Sequence, residues 1–167
     1  MADRIVVRKA TRKDAECIAI FNTKMAEETE GKILVNTVVL AGVKTVIDNP
    51  AKGFYLVAEK TNGIPKIVGQ LLVTFEWSDW RNKNFWWVQS VYIHEEFRNR
   101  KVFSGLYGFL VSLAQAEKDV CGLRLYVDGH NRLAKLVYEA LGLVKTAYEL
   151  YEMEFDRVRR HVRSSKP

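Results

Sequence analysis

A change of hydrophobic period at Gly53 constrains the fold of this chain more than any other feature. Residues 53–60 (GFYLVAEK) and 66–77 (KIVGQLLVTFEW) are rich in β-branched and aromatic residues and flank the loop TNGIP. The Asn62-Gly63 pair in that loop is a strong hairpin signal, because such turns require residues that tolerate positive φ. A polar turn, SDWRNKN, then leads to FWWVQSVYI. The sequence therefore predicts three consecutive antiparallel strands.

Two helices are predicted before these strands. Residues 4–7 form a short β-prone run, and Thr11 followed by Asp14 resembles a helix N-cap with an acid well placed for the helix dipole. Apolar residues then recur at helical spacing to about residue 28. A second helix is predicted from residue 36 or 37 up to the proline at position 50.

The elements after the three strands alternate between helix and strand. An apolar stripe beginning at Val102 predicts a helix to about residue 118, and GLRLYVDG (122–129) predicts a strand. Residues 131–141 then predict a helix that Gly142 ends, and AYELYEMEF (147–155) predicts a last strand. The fold class is α+β, with a mixed, mostly antiparallel sheet flanked by helices.

Length and charge indicate one domain with a basic tail. The 167 residues fit a single domain, which we place at residues 1–156, followed by a tail at 157–167. The net charge is +6, and the tail supplies five positive charges without an acid, so the remainder carries 6 − 5 = +1. This distribution argues against nucleic acid as a partner, because a frayed, solvated terminus explains the basic tail more simply than a binding arm does.

Composition also bears on compartment, membrane and metal. The chain has no run of about 18 apolar residues, and its start carries charges where a signal peptide is apolar. We therefore expect a cytoplasmic protein without a membrane partner. Cys17 and Cys121 have neither a close partner nor metal-ligand spacing, so we expect buried thiols, with no disulfide and no metal.

The stretch EEFRNRKVFSGLYGFL, residues 95–110, joins a predicted strand to a predicted helix through a basic turn. Such a turn offers free N–H groups and the positive end of a helix dipole, which together hold phosphate. Arg98, Arg100 and Lys101 crowd this turn. The same charges are also consistent with simple solvent exposure, because basic residues in a first turn oppose the dipole.

This stretch resembles the acyl-CoA-binding segment of the GNAT superfamily of N-acetyltransferases, where an Arg/Gln-x-x-Gly-x-Gly/Ala turn lies over the CoA pyrophosphate. Arg98 matches the first position, whereas Lys101 and Phe103 replace the two small residues. RLYVDGHNRLAKLVYEALGL resembles the second signature of the family, with Asn131 opening a helix that carries Tyr138. The order of elements matches over essentially the full length, and WWVQSVYIHEEFR resembles a bacterial-type branch of uncharacterised predicted acetyltransferases. The resemblance implies the GNAT fold.

The resemblance implies acetyl-CoA as co-substrate, and Lys101 bears on how it is held. We expect Lys101 to be tolerated, because a first-turn helical position has negative φ and every residue except proline supplies an N–H donor. The backbone of Val91 and Ile93 would bind the pantetheine arm and the thioester. The expected cofactor-binding residues are Val91, Tyr92, Ile93, Arg98, Asn99, Arg100, Lys101, Val102, Phe103, Ser104 and Asn131.

The resemblance also places a general acid, but it leaves the general base open. Tyr138 stands where the family has the acid that protonates the departing thiolate. Trp87 stands where the histone-acetylating branch has its glutamate, so we predict Glu76 on the preceding strand as the base. Glu28 and Glu30 are the next candidates, each carboxylate could lie on a solvated face instead, and water could relay the proton.

The acceptor is predicted to be an amine. Trp77, Asp79 and Trp80 lie near one strand-turn-strand corner, and aromatic rings beside acids suit an ammonium group. Glu28 and Glu30 belong to an acidic loop where family members line the acceptor site. We therefore predict direct transfer to a small amine or polyamine in a ternary complex. Three other functions remain open: acetylation of protein N-termini or lysines, a non-catalytic acyl-CoA sensor, and a basic nucleic-acid-binding module. An edge-strand homodimer is also open.

Overall fold

The computed structural model describes residues 3–153 and Phe155. Contacts between Cα atoms divide the chain into two compact units, Met1–Tyr126 and Val127–Pro167. The single domain predicted over residues 1–156 stays a prediction, and the tail at 157–167 lies outside the described residues. In the first unit the strands are β1 Ile5–Lys9, β2 Phe54–Lys60, β3 Lys66–Ser78, β4 Lys83–Ile93 and β5 Val120–Leu125, and the helices are α1 Ala15–Glu30, α2 Asn36–Asp48 and α3 Val102–Ala116.

One five-stranded sheet, in the order β1-β2-β3-β4-β5, forms the centre of the first unit. The first four strands are antiparallel neighbours, which confirms the three predicted strands, and β5 is parallel to β4. The Asn62-Gly63 loop joins β2 to β3, and Gly63 has φ of +80°. The predicted strand at 122–129 is observed at Val120–Leu125, so it begins two residues earlier and ends four residues earlier, where its pairing with β4 ends at Val88↔Leu125.

Each face of the sheet carries its own hydrophobic core. Helix α3 covers one face, where Leu106 and Leu110 are fully buried together with Leu71 and Val73 of β3. Helices α1 and α2 cover the other face through Ile18 and similar apolar side chains. Because burying one leucine side chain contributes about 1.5–3 kcal/mol, these two layers fix the three helices on the sheet.

A buried ion pair starts α1 where the sequence predicts a helix cap. The Thr11 backbone N–H and hydroxyl both donate to Asp14, at 2.7 and 3.0 Å. Arg8 on β1 donates to both carboxylate oxygens of Asp14, at 2.8 and 2.9 Å. These bonds, chiefly those from Arg8, lower the pKa of Asp14. The helix is confirmed, and it ends at Glu30 with Gly31 in the left-handed conformation.

In the second unit, α4 spans Arg132–Ala140, and the Asn131 side chain accepts from the Ala134 N–H at 3.0 Å, which confirms the predicted cap. Gly142, with φ of +87°, follows the helix as predicted. The last predicted strand is wrong, because residues 147–153 have no regular secondary structure. An alternating pattern makes a strand only where a neighbouring strand takes up its backbone hydrogen bonds. Within residues 3–153 and 155, no helix is both long and apolar enough to cross a bilayer.

Candidate active site

The C-terminal end of β4 leaves its parallel neighbour at a bulge. Strand β5 pairs with β4 only as far as Val88, whereas β4 continues to Ile93. The register with β3 shifts between Gln70 and Leu72, and Ser90 opposite this shift has φ of +48°. Within the described residues, β4 therefore has a partner strand on one side only beyond Val88.

Backbone groups of Val91 and Ile93 point away from β3 at this end. The His94 N–H donates to the Val68 carbonyl at 3.0 Å. Because hydrogen-bonded and non-bonded pairs alternate in an antiparallel ladder, Tyr92 belongs to the next bonded pair and Val91 and Ile93 do not. Their N–H and C=O groups thus face the side that β5 has left. This geometry fits the pantetheine arm, which the sequence predicts there.

Arg98 is held by α1 and β4. Its Nε donates to the Ile93 carbonyl at 3.0 Å, and its terminal nitrogen donates to Glu28 Oε2 at 2.6 Å. The Tyr92 hydroxyl donates to the other oxygen of Glu28 at 3.0 Å. Burial, reinforced by this carboxylate, raises the pKa of Tyr92. Glu28, a predicted acceptor or base residue, thus braces α1 against the end of β4 with both oxygens.

The turn after Arg98 has a different backbone conformation at Lys101 from the one that the sequence predicts. Lys101 is the N-cap of α3, with φ of +60°, and Asn99 two residues earlier has φ of +61°. The expectation of negative φ at Lys101 is wrong, because the residue precedes the helix instead of lying in its first turn. In turns that combine left-handed and right-handed residues, successive backbone N–H groups can point to one side and form a concavity that suits an anion. The lysine therefore occupies a position that favours glycine.

The first turn of α3 adds helix N–H groups to this concavity. Val102 is buried and anchors the helix start, whereas Ser104 is exposed. First-turn N–H groups such as those of Val102 and Ser104 have no carbonyl partner within the helix, and the helix dipole favours an anion there. The Arg100 side chain reaches back to Asp3 at 3.1 Å, and Phe103 packs against Tyr107 with ring centroids 6.0 Å apart. This turn fits the pyrophosphate of CoA through backbone donors.

Glu76 lies away from the bulge and is already paired. It accepts a hydrogen bond from the Trp87 indole and an ion-pair bond from Arg124 at 2.5 Å. The Arg124 guanidinium also lies over the Phe85 ring, 3.8 Å from its centroid. Glu76 is five residues along β3 from Leu71 at the bulge, a separation of about 17 Å at 3.4 Å per residue. The structure therefore gives the predicted base a structural role in joining β3, β4 and β5.

The aromatic corner predicted for the acceptor is also distant from the bulge. Trp77 lies near the end of β3, about 20 Å from Leu71 by the same rise. Trp80 is in the following turn with 84% of its surface exposed, and Asp79 accepts the backbone N–H of Trp80 at 2.9 Å. The structure does not bring Trp77, Asp79 and Trp80 together with the bulge.

An open cleft lies beside the bulge between α1, α2 and β4. Its volume is about 360 Å³, and Ser90 and Tyr55 line it together with Asn22. Glu30, predicted as an acceptor residue, lines its rim and pairs with Lys32. Among the acidic residues predicted to bind the acceptor, Glu30 lines this cleft, whereas Glu28 and Asp79 do not.

The sequence patterns did not predict a buried polar network that lies behind this cleft. Gln70 is fully buried and donates to Asn22 Oδ1 at 2.6 Å and to the Ser90 carbonyl at 3.4 Å. Asn22 in turn donates to the Tyr55 hydroxyl at 3.3 Å. Gln70 Oε1 has no hydrogen-bond partner within the described part of the chain. The glutamine inside the apolar run IVGQLLV could have indicated this network, because a buried amide in a strand needs hydrogen-bond partners.

Tyr138 and Asn131 belong to the second unit. Tyr138 lies on α4, is partly buried, and has its pKa raised by that burial. A raised pKa keeps the phenol protonated at neutral pH, as a proton donor requires. Among residues 3–153 and 155, no group of three His, Cys, Asp or Glu side chains is placed to hold a metal ion.

Known proteins with similar sequences or folds include acetyltransferases. A model of the Acetyltransferase (GNAT) family matches residues 20–143. A possible acetyltransferase from Clostridium difficile 630 is 40% identical, with a TM-score of 0.82, over 90% of this chain and 97% of that chain. A predicted acetyltransferase with acetyl-CoA from Clostridium acetobutylicum is 19% identical, with a TM-score of 0.73, over 90% of this chain and 96% of that one. An aminoglycoside N-acetyltransferase in complex with CoA is 12% identical, with a TM-score of 0.73, over 93% and 98%. A search of curated proteins gives no match.

The last two of these structures are similar in fold alone. The family match is stronger, since it covers well over half of the chain and includes β4, the turn at Lys101 and α4. The bulge of β4 and the N-terminal turn of α3 lie inside the matched range. The chain therefore belongs to the GNAT family of acetyltransferases.

Proposed function

We propose that this protein is an acetyl-CoA-dependent N-acetyltransferase that acts on the primary amine of a small molecule. The observation that carries the proposal is the end of β4, where β5 no longer pairs with the strand and the N–H groups of Val91 and Ile93 face the side that β5 has left, close in sequence to the positive-φ turn at 98–104. The pantetheine arm with its thioester needs free backbone groups along a strand, and the pyrophosphate needs N–H donors at a turn. The cleft beside Ser90, at about 360 Å³, is at the small end of ligand pockets, which favours a small acceptor.

Bound acetyl-CoA supplies an activated acetyl thioester that an amine can attack. The chain contributes backbone N–H donors at Val91 and Ile93, which would stabilise the negative charge that develops on the carbonyl oxygen of the thioester. The Ser90 carbonyl and the Tyr55 hydroxyl can accept hydrogen atoms of the amine and so orient its lone pair. Tyr138 holds a proton at its hydroxyl for the leaving thiolate.

Direct transfer, without an acetylated enzyme, follows from the state of the thiols. Burial raises the pKa of Cys17, so its thiol stays protonated and is a poor nucleophile. Cys121 uses its thiol to bond the Asn84 carbonyl at 3.3 Å. We assign no side chain as general base, because Glu76 is paired with Arg124 and Glu30 with Lys32. Water in the open cleft would take the proton from the attacking amine and pass it to bulk solvent, from which the Tyr138 phenolate would recover the proton that it gives to the thiolate.

The proposal is tested by incubating the protein with acetyl-CoA and separate panels of small amines and of peptides. Release of the CoA thiol is followed with a chromogenic disulfide, and acetylated products are identified by mass spectrometry. We expect thiol release with small amines. Preferential acetylation of peptides would instead make the protein a protein acetyltransferase. CoA binding by calorimetry without thiol release on any acceptor would make it an acyl-CoA sensor.

A further inference from the structure

The cleft beside the β4 bulge has an apolar wall. Met25 and Ala26 of α1 line it on one side, and Val39 and Val43 of α2 line it on the other, with Leu34 from the loop between the helices. Val43 and Ala26 are buried, and the others are partly buried. A ligand in the cleft would therefore remove apolar surface from water along most of its length.

The cleft provides no free charge for a second ammonium group. Its charged side chains are Glu30 and Lys32, which pair with each other at the rim. The polar groups lie instead at the end next to β4, where Asn22, Tyr55 and the Ser90 carbonyl are linked through Gln70. The cleft is thus polar at one end and apolar along its walls.

We propose, on the basis of the function proposed above, that the acceptor is an amphipathic monoamine. Its amino group lies at the Ser90 and Tyr55 end, and its apolar body lies between α1 and α2. The exposed Trp77 and Trp80 corner takes no part, since it lies near the opposite end of β3 and β4. A diamine whose second ammonium lay between α1 and α2 would desolvate that charge against an apolar wall, so a monoamine with an apolar body is the preferred acceptor.

Gly42 offers a variant that fills the cleft without disturbing the fold. It lies on α2 in the cleft lining, and a Cβ built at this position meets no atom within 4 Å. Replacing a helical glycine also raises helix propensity. Gly42→Leu should therefore fold and narrow the space for an apolar body. Gly108→Leu on α3 is the matched control, because Gly108 is also helical, exposed and free of neighbours within 4 Å.

The experiment compares hexylamine, butylamine and hexamethylenediamine as acceptors. We expect kcat/KM for hexylamine to exceed that for butylamine by about 15-fold, because each of the two extra methylenes contributes about a fourfold factor when buried. Hexamethylenediamine should be at least about tenfold poorer than hexylamine. Gly42→Leu should lower kcat/KM for hexylamine about tenfold more than it lowers kcat/KM for butylamine, whereas Gly108→Leu should leave both unchanged.

Calorimetric titration of hexylamine, with and without CoA, separates this inference from the proposed function. Hexylamine binding that weakens in Gly42→Leu but not in Gly108→Leu supports the inference even if no acetyl transfer occurs. Acetyl transfer that favours the diamine, or that is equally fast in Gly42→Leu, would overturn the inference and leave the acetyltransferase proposal intact. Absence of both CoA binding and thiol release would overturn the proposed function alone.

Discussion

The two ends of β4 differ in how their polar groups are satisfied. At the end near Phe85, Glu76 is bonded to Arg124 and to the Trp87 indole, and the indole stacks on Tyr126 with centroids 4.3 Å apart. At the end near Ile93, regular pairing stops, two residues of the following turn have positive φ, and a buried amide oxygen has no partner within the described residues. The site proposed at the Ile93 end therefore rests on interrupted backbone pairing and not on charged and aromatic residues alone.

The largest effect is expected from Tyr138 on α4, which belongs to the second unit and not to β4. Tyr138→Phe should lower kcat about 100-fold with little change in CoA affinity, because only the proton donor is removed. The raised pKa of the phenol also predicts that wild-type turnover will not fall with rising pH below about pH 10. Steady-state kinetics and CoA calorimetry check both statements. An unchanged kcat would remove Tyr138 from the mechanism.

A negative charge in the turn tests the anion site at the Ile93 end. Ser104→Glu should weaken acetyl-CoA binding about tenfold to fiftyfold through repulsion of the pyrophosphate. It should not destabilise the fold, since an acid in the first turn of a helix is favourable. Ser112→Glu, at an exposed position on the same helix, is the control. Equal affinities in the two variants would argue against phosphate binding at this turn.

Glu76→Gln tests the opposite end of β4. We expect kcat to change less than about threefold, because the residue holds Arg124 and Trp87 and lies far from the bulge. The free energy of unfolding should fall by about 1 kcal/mol, since the half-exposed ion pair is lost while the amide oxygen still accepts from the indole. Urea denaturation and steady-state kinetics provide the two measurements. A loss of activity of 100-fold or more in a stable variant would restore Glu76 as the base and erase the contrast between the two ends.

The smallest effect concerns the left-handed turn. Lys101→Gly should stabilise the protein by about 0.5 kcal/mol, because relief of left-handed strain exceeds the added entropy of the unfolded chain. Affinity for acetyl-CoA should change less than about tenfold, since the N–H donor is kept. Asn99→Gly is the matched control and should stabilise the protein less than Lys101→Gly does, because asparagine tolerates positive φ. Appearance of CoA binding only in Lys101→Gly would mean that the natural lysine has abolished the site.

Local pattern predicted the elements well wherever one face was apolar. The alternation around Asn62-Gly63 and the stripe starting at Val102 correspond to β2, β3 and α3. The cap residues Asp14 and Asn131 were predictable because their bonds join residues three apart. The strand expected at 147–155 failed because alternation cannot specify a partner strand.

The geometry of the proposed site depends on contacts between segments that are distant along the chain. The sequence by itself determined the order of elements, the family resemblance and the basic turn after Arg98, since these depend on residues close along the chain. Only the tertiary structure decided that Glu76 pairs with Arg124, that Lys101 is left-handed, and that a cleft opens beside Ser90. The physical reason is that ion pairs, bulges and cavities depend on which strands and helices meet, and periodicity within one segment carries no record of its neighbours.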